Sequence, residues 1–171
     1  MKRYLLYTGA IILLSACVFF PHKVSIIWPE KVDYIEALCE LDMTWNDMTY
    51  SGTMSLKMDY PRLLYIEVYG PLGNTVLSIK KEDDLFLLIS KEDTIKSEYE
   101  FEKKFGITVG ELMEDISMRG DKKNLSSEET YIERKYYRVS YRFGKEKNII
   151  CWKGNPGVMC LTFLEAQFEK N

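Results

Sequence analysis

Among residues able to carry chemistry, the chain has four cysteines (Cys17, Cys39, Cys151 and Cys160) and a single histidine, His22. Their spacing excludes the common catalytic machinery. The sequence contains no G-x-S-x-G turn, H-E-x-x-H helix, zinc-spaced cysteine pair or phosphate-cradling glycine loop. One histidine with nothing nearby to orient it cannot supply acid–base work. Acidic pairs such as Asp83-Asp84 fall in charged turns, where they are solvated. No catalytic, metal or cofactor site is therefore expected, and the reading that follows is of a binding protein. Cys151 and Cys160 flank Lys153-Gly154-Asn155-Pro156-Gly157, a hairpin loop by composition. A loop symmetric about Asn155-Pro156 sets the two cysteines opposite each other, within bonding range at a non-hydrogen-bonded pair, and a disulfide is permitted in an exported domain. A slip of one residue would leave two free thiols instead. Cys39 lacks a partner and reads as a buried small hydrophobe.

Cys17 differs because of what precedes it. Lys2 and Arg3 lead into an apolar run over residues 4–16 that ends Leu14-Ser15-Ala16-Cys17. Such a segment reads as a secretory signal and is short for a bilayer span. The L-S-A-C ending resembles the lipobox of bacterial lipoprotein signal peptides. That resemblance implies removal of residues 1–16 and lipidation of Cys17 by several acyl chains, a firm anchor where a single chain would be marginal. Val18 stands where an aspartate would imply inner-membrane retention. The implied location is thus the periplasmic face of the outer membrane. Residues 17–28 read as a tether and residues 29–171 as one domain.

The composition suits that division. With 171 residues, 46% of them hydrophobic and 13% aromatic, the chain can bury one core. A net charge of -3 offers no attraction to nucleic acid. The acidic stretch 82–115 and the basic stretch 134–147 read as solvated faces.

Periodicity supplies the elements. Residues 29–38 have Pro29 and Glu30 at a helix start and a rough apolar stripe, which predicts a short helix. Apolar residues then alternate over 39–45 and 48–58, a hairpin about Asn46-Asp47 with methionines at 43, 48, 54 and 58. Such methionines fill cores, and they also line surfaces that accept varied apolar partners. Further strands are predicted over 62–70, 74–80 and 85–89, the last apolar on both faces and so covered on both. Another is expected over 94–101. Short connections make neighbours antiparallel. A helix over residues 107–119 carries a capping box (Thr108, Glu111), staple residues Ile107 and Leu112, and Arg119-Gly120 as its stop. Residues 121–130 read as polar loop, 131–143 as one alternating strand, 149–152 as a short strand and 158–168 as the last.

The centre of this pattern is R-L-L-Y-I-E-V-Y-G-P-L-G-N-T-V-L-S-I, residues 62–79. Gly70, Pro71, Gly73 and Asn74 form turns, whereas Leu72 does not. A leucine held between Pro71 and Gly73 either points into solvent, or whatever replaces it, or folds back onto the core. This run resembles the strand-loop-strand of LolB, the outer-membrane receptor that accepts lipoproteins from the periplasmic carrier LolA, and of shorter LolB-like lipoproteins; the likeness covers residues 38–120. The resemblance implies an incomplete β-barrel, a strongly curved antiparallel sheet with the 107–119 helix over its concave face. It implies a membrane-insertion loop at Pro71, Leu72 and Gly73, a LolA-like carrier as partner, and lipoprotein acyl chains as cargo. Inward residues Met54, Leu56, Ile66, Val68, Leu112, Met113, Ile116, Tyr137, Val139 and Tyr141 are the expected acyl-chain cavity. A lipid-anchored assembly subunit of an envelope complex, with the same fold and a filled core, is the alternative.

Overall fold

The computed structural model describes residues 26–45, 48–124, 129–144, 147–155 and 157–170. The signal segment, Cys17 and the tether up to residue 25 lie outside them, as do Asn46-Asp47. The chain forms β1 (Tyr34–Trp45), β2 (Met48–Asp59), β3 (Leu63–Tyr69), β4 (Thr75–Glu82), β5 (Leu85–Ser90) and β6 (Thr94–Ile95). Two short helices follow, α1 (Glu98–Phe105) and α2 (Val109–Ile116), and then β7 (Lys122–Asn124), β8 (Glu129–Glu133), β9 (Tyr137–Phe143), β10 (Asn148–Gly154) and β11 (Gly157–Gln167).

All of these strands join one 11-stranded sheet in the order β6-β5-β4-β3-β2-β1-β11-β10-β9-β8-β7. Neighbours are antiparallel, as the short connections require. The sheet is not closed: β6 and β7 are its two edges. One face holds the core. Leu64, Ile66 and Val68 of β3, Tyr137, Val139 and Tyr141 of β9, and Ile150 and Trp152 of β10 are all buried, with their alternate neighbours more exposed. The sheet curls around α2. Asp115 of this helix bonds β9 and β10 side chains, and Ser117, two residues on, donates to Met58 Sδ of β2 at 3.9 Å. A flat sheet would hold β2 and β9 about 19 Å apart.

Several sequence expectations are corrected here. Residues 29–38 do not form a helix, because β1 starts at Tyr34 and pairs with both β2 and β11. Alternation of Ile35, Ala37, Cys39 and Leu41 outweighs the helix signals at Pro29 and Glu30. Residues 94–101 are not one strand: after Ile95 the chain turns into α1, with acidic residues in its first turn, lysines in its last and Gly106 in a left-handed cap. The helix at 107–119 is shorter than expected, spanning Val109–Ile116 and capped by Ser117. Its stop is not Gly120, since Met118 takes the positive φ of 58° and stays buried. Residues 131–143 break into β8 and β9 at Arg134-Lys135-Tyr136. Finally, β5 is covered on one face only. Phe86 and Leu88 are buried, but Leu85 and Ile89 are 74% and 46% exposed.

The last hairpin brings Gly154 opposite Gly157, so Cys151 faces Cys160 and the two are joined as a disulfide. Gly157 is obligatory there. A Cβ on it would lie 1.9 Å from the Thr44 carbonyl oxygen. The disulfide sits half-buried on the outer face, because the inward residues of β11 are Leu161 and Phe163 rather than Cys160, Thr162 and Leu164. Its effect is therefore on the chain rather than the core. Reducing it, or making Cys151→Ser with Cys160→Ser, is expected to lower stability by about 2.5 kcal/mol through the released loop entropy, read as a lower urea midpoint.

Candidate functional site

Helix α2 is defined locally before it is packed. Glu111 N–H donates to Thr108 Oγ1 at 3.0 Å and Thr108 N–H donates back to Glu111 Oε2 at 3.2 Å, closing the capping box. Ile107 and Leu112, at the staple positions, are both buried. Val109, Leu112, Met113 and Ile116 then face the sheet and are buried with them.

What fixes the helix in place is a charge. Asp115 is fully buried, and its Oδ1 accepts from Arg134 Nε at 2.9 Å and Nη2 at 2.7 Å. Its Oδ2 accepts from Tyr137 Oη and Trp152 Nε1, each at 3.0 Å. Tyr141 Oη donates to the Asp115 carbonyl at 2.9 Å. Burial pushes the Asp115 carboxyl above its ordinary pKa against the pull of Arg134, Trp152 and Tyr137. The same burial raises Tyr137 and Tyr141, which remain protonated donors. The cluster is saturated with internal bonds and presents no free group for catalysis.

Helix α1 is held at the other side. Phe101 meets Phe86 of β5 edge-on at 5.4 Å between centroids, and Trp45 Nε1 of β1 donates to the Phe105 carbonyl at 3.0 Å. Between the two helices and strands β1–β5 and β11 lies a cavity of about 550 Å³. Leu41, Met54, Ile66, Val68, Ile79 and Leu88 line it from the sheet, and Phe101, Phe105, Leu112 and Ile116 line it from the helices. Val76, Leu77, Met159 and Leu161, with Met43, Trp45, Tyr50 and Ile107, complete the apolar wall. Its polar lining is concentrated at Ser90, Lys91, Glu92, Asp93 and Lys104, where Lys104 pairs with Asp93. An apolar chamber with a polar rim of both signs can hold an apolar body.

Of the residues expected at the cavity, Met54, Ile66, Val68, Leu112 and Ile116 line it. Leu56, Met113, Tyr137, Val139 and Tyr141 do not: they are buried in solid core, the tyrosines as donors to Asp115. The apolar cavity thus lies in one half of the sheet, while the inward side chains of β9 and β10 are packed against α2. Sequence reasoning missed the α1 contribution because residues 94–101 read as strand and 102–105 as no element, and it missed Asp115. Its signal was three inward aromatics with polar tips, Tyr137, Tyr141 and Trp152, which require an acceptor.

Leu72 is 95% exposed. Gly73 N–H donates to the Gly70 carbonyl at 2.9 Å and Gly70 N–H to the Asn74 carbonyl at 2.8 Å, with Gly73 at φ 77°. Pro71 and Leu72 are therefore the corners of a closed β-turn. That turn follows Val68 and precedes Val76 and Leu77, all in the cavity wall. Its neighbour on the same side of the sheet is the β5–β6 connection, since Leu77 pairs with Ser90. Cys39 is buried and its thiol is pushed up to about 12 by burial, so it stays protonated and inert. Among the described residues no cluster of histidine, cysteine and carboxylate side chains is placed to hold a metal. No helix among them is long and apolar enough to cross a membrane.

Replacing Asp115 by alanine strands Arg134, Tyr137 and Trp152, and is expected to cost about 3 kcal/mol or roughly 6–12 °C in Tm, measured by thermal unfolding followed by circular dichroism. Searches with the whole chain find no matching family model and no matching curated protein.

Proposed function

We propose that the protein is a lipid-anchored carrier of acyl chains, LolB-like in its job, tethered through Cys17 at the outer membrane. It takes the acyl groups of a lipoprotein from a LolA-like carrier and releases them to the bilayer past Leu72. The observation that carries this reading is the apolar cavity of about 550 Å³ behind α1 and α2, a size typical of small-molecule sites. Two further features support it. Leu72 is the most exposed large apolar side chain among the described residues, at the tip of a turn whose flanking strands form the cavity wall. The open sheet curls around α2, and α1 and α2 together are too short to cover its inner face. No bond needs to be made or broken, and release follows from the higher affinity of an acyl chain for the bilayer than for the cavity.

A second reading, an assembly subunit of an envelope complex, is favoured by the packed inward face of β9 and β10. Lipid extraction separates the two, since a carrier yields co-purified acyl lipid and a subunit with an idle cavity yields none. Leu77→Trp places an indole in the cavity from a half-buried position of β4. It is expected to weaken binding of an apolar fluorescent probe at least tenfold while moving Tm by only a few degrees. Leu72→Glu is expected to leave probe binding unchanged and to slow acyl transfer to vesicles at least tenfold. Full transfer by that variant would remove the turn from the mechanism.

A further inference from the structure

We infer that the length of chain between Cys17 and Ile26, rather than its sequence, decides whether Leu72 enters the bilayer that holds Cys17. This rests on the proposed roles of Cys17 as lipid anchor and of Leu72 as the turn that meets the membrane. The first step is topological. Strands β1 to β4 are neighbours in sequence order, each antiparallel to the last. The chain therefore enters the sheet at one end, and the β3–β4 turn with Leu72 stands at the other. Residues ahead of β1 are held at the entry end. Trp28 packs on Phe143, Phe163 and Phe168 with centroids 4.0, 4.8 and 5.0 Å away, and β9 and β11, which carry or precede Phe143 and Phe168, both finish at that end. Tyr60 N–H donates to the Asp33 carbonyl at 2.8 Å, Val32 N–H to the Ser117 carbonyl at 3.2 Å, and Lys122 Nζ to the Glu30 carbonyl at 2.9 Å. Residues 28–33 are thus fixed to the domain and add no slack to the tether.

Two lengths then decide the outcome. Strand β3 covers seven residues, about 20 Å from first to last at ~3.3 Å each, and Leu72 lies beyond its end. For the turn to enter a bilayer tip first, the entry end of the sheet stands about 20 Å above the surface. Ile26 follows Cys17 by nine residues, a stretch that spans at most about 30 Å. That reach is sufficient, with little in reserve. A tether of four residues spans at most about 14 Å, which keeps the turn out of the membrane while leaving the cavity and the fold untouched.

The test uses the lipidated chain in vesicles of phosphatidylethanolamine and phosphatidylglycerol. One readout is a polarity-sensitive dye on Leu72→Cys; the other, with Leu72 intact, is transfer of fluorescent palmitate from protein to vesicle. Deleting residues 20–24 retains Cys17, Val18 and Phe19 for lipidation and brings Ile26 to four residues from the anchor. The deletion is expected to move the dye from bilayer to water and to slow transfer at least tenfold, with palmitate affinity unchanged, and five glycine and serine residues put back in its place are expected to restore both. Dye insertion and transfer that survive the deletion, or that the glycine–serine replacement does not restore, would overturn the length requirement and leave the carrier reading intact. In the unanchored Cys17→Ala chain the deletion is expected to change nothing; equal slowing there would locate the effect in the fold and overturn the requirement as well. Absence of dye insertion and transfer in the undeleted chain would overturn the carrier reading and the length requirement together.

Discussion

A buried carboxylate decides where this domain is solid and where it is hollow. Asp115 can remain in the interior only because four donor bonds surround it, and all four come from one side: the β8–β9 turn, β9 and β10. The helix that carries it is therefore drawn to that half of the sheet. An eight-residue helix is about 12 Å long, far too short to cover the rest of an 11-stranded sheet. The remainder is roofed by α1, which touches the sheet through Phe101 against β5 and the Phe105 carbonyl on β1. The space between these two points of attachment is the cavity.

The asymmetry also explains which inward residues do which job. On β9 and β10 the inward side chains include Tyr137, Tyr141 and Trp152, whose polar tips are met by Asp115 of α2. On β2, β3 and β4 they are mainly methionine, leucine, isoleucine and valine, which need no partner from α2, while Trp45 and Phe86 at the margins hold α1. A polar network specifies one position for α2, whereas an aliphatic wall tolerates a gap. Apolar gaps of this kind stay dry or take an apolar guest.

Much of the sheet was legible in the sequence because period-two alternation is a direct consequence of strand geometry. The hairpin pairing of Cys151 with Cys160, the strands on either side of Pro71-Leu72-Gly73, and the capping box at Thr108 all follow from local chemistry. The errors fall where local and non-local forces disagree. Pro29 and Glu30 favour a helix, but the pairing of β1 with two neighbours continues the strand through Ile35 and Ala37. Residues 94–101 read as strand, although Glu98 and Glu100 and then Lys103 and Lys104 sit at the ends a helix dipole favours. The site was legible in part: Met54, Ile66, Val68, Leu112 and Ile116, on β2, β3 and α2, line the apolar cavity, whereas Leu56, Met113, Tyr137, Val139 and Tyr141 do not, because inward direction alone does not distinguish a wall from a filling. That distinction depends on Asp115, whose partners are distant in sequence.

The turn at Gly70–Asn74 has a thermodynamic corollary. Seating a leucine in an apolar surrounding contributes about 1.5–3 kcal/mol, whereas fixing the backbone of each loop residue costs about 1–2 kcal/mol. A floppy loop of that length would lose more in ordering than its one leucine could return. Here two cross-turn hydrogen bonds, the ring of Pro71 and the left-handed Gly73 have already ordered the backbone during folding. In the proposed carrier, Leu72 would therefore enter an oily phase with almost the whole of its transfer free energy available and with no refolding of the segment that carries it.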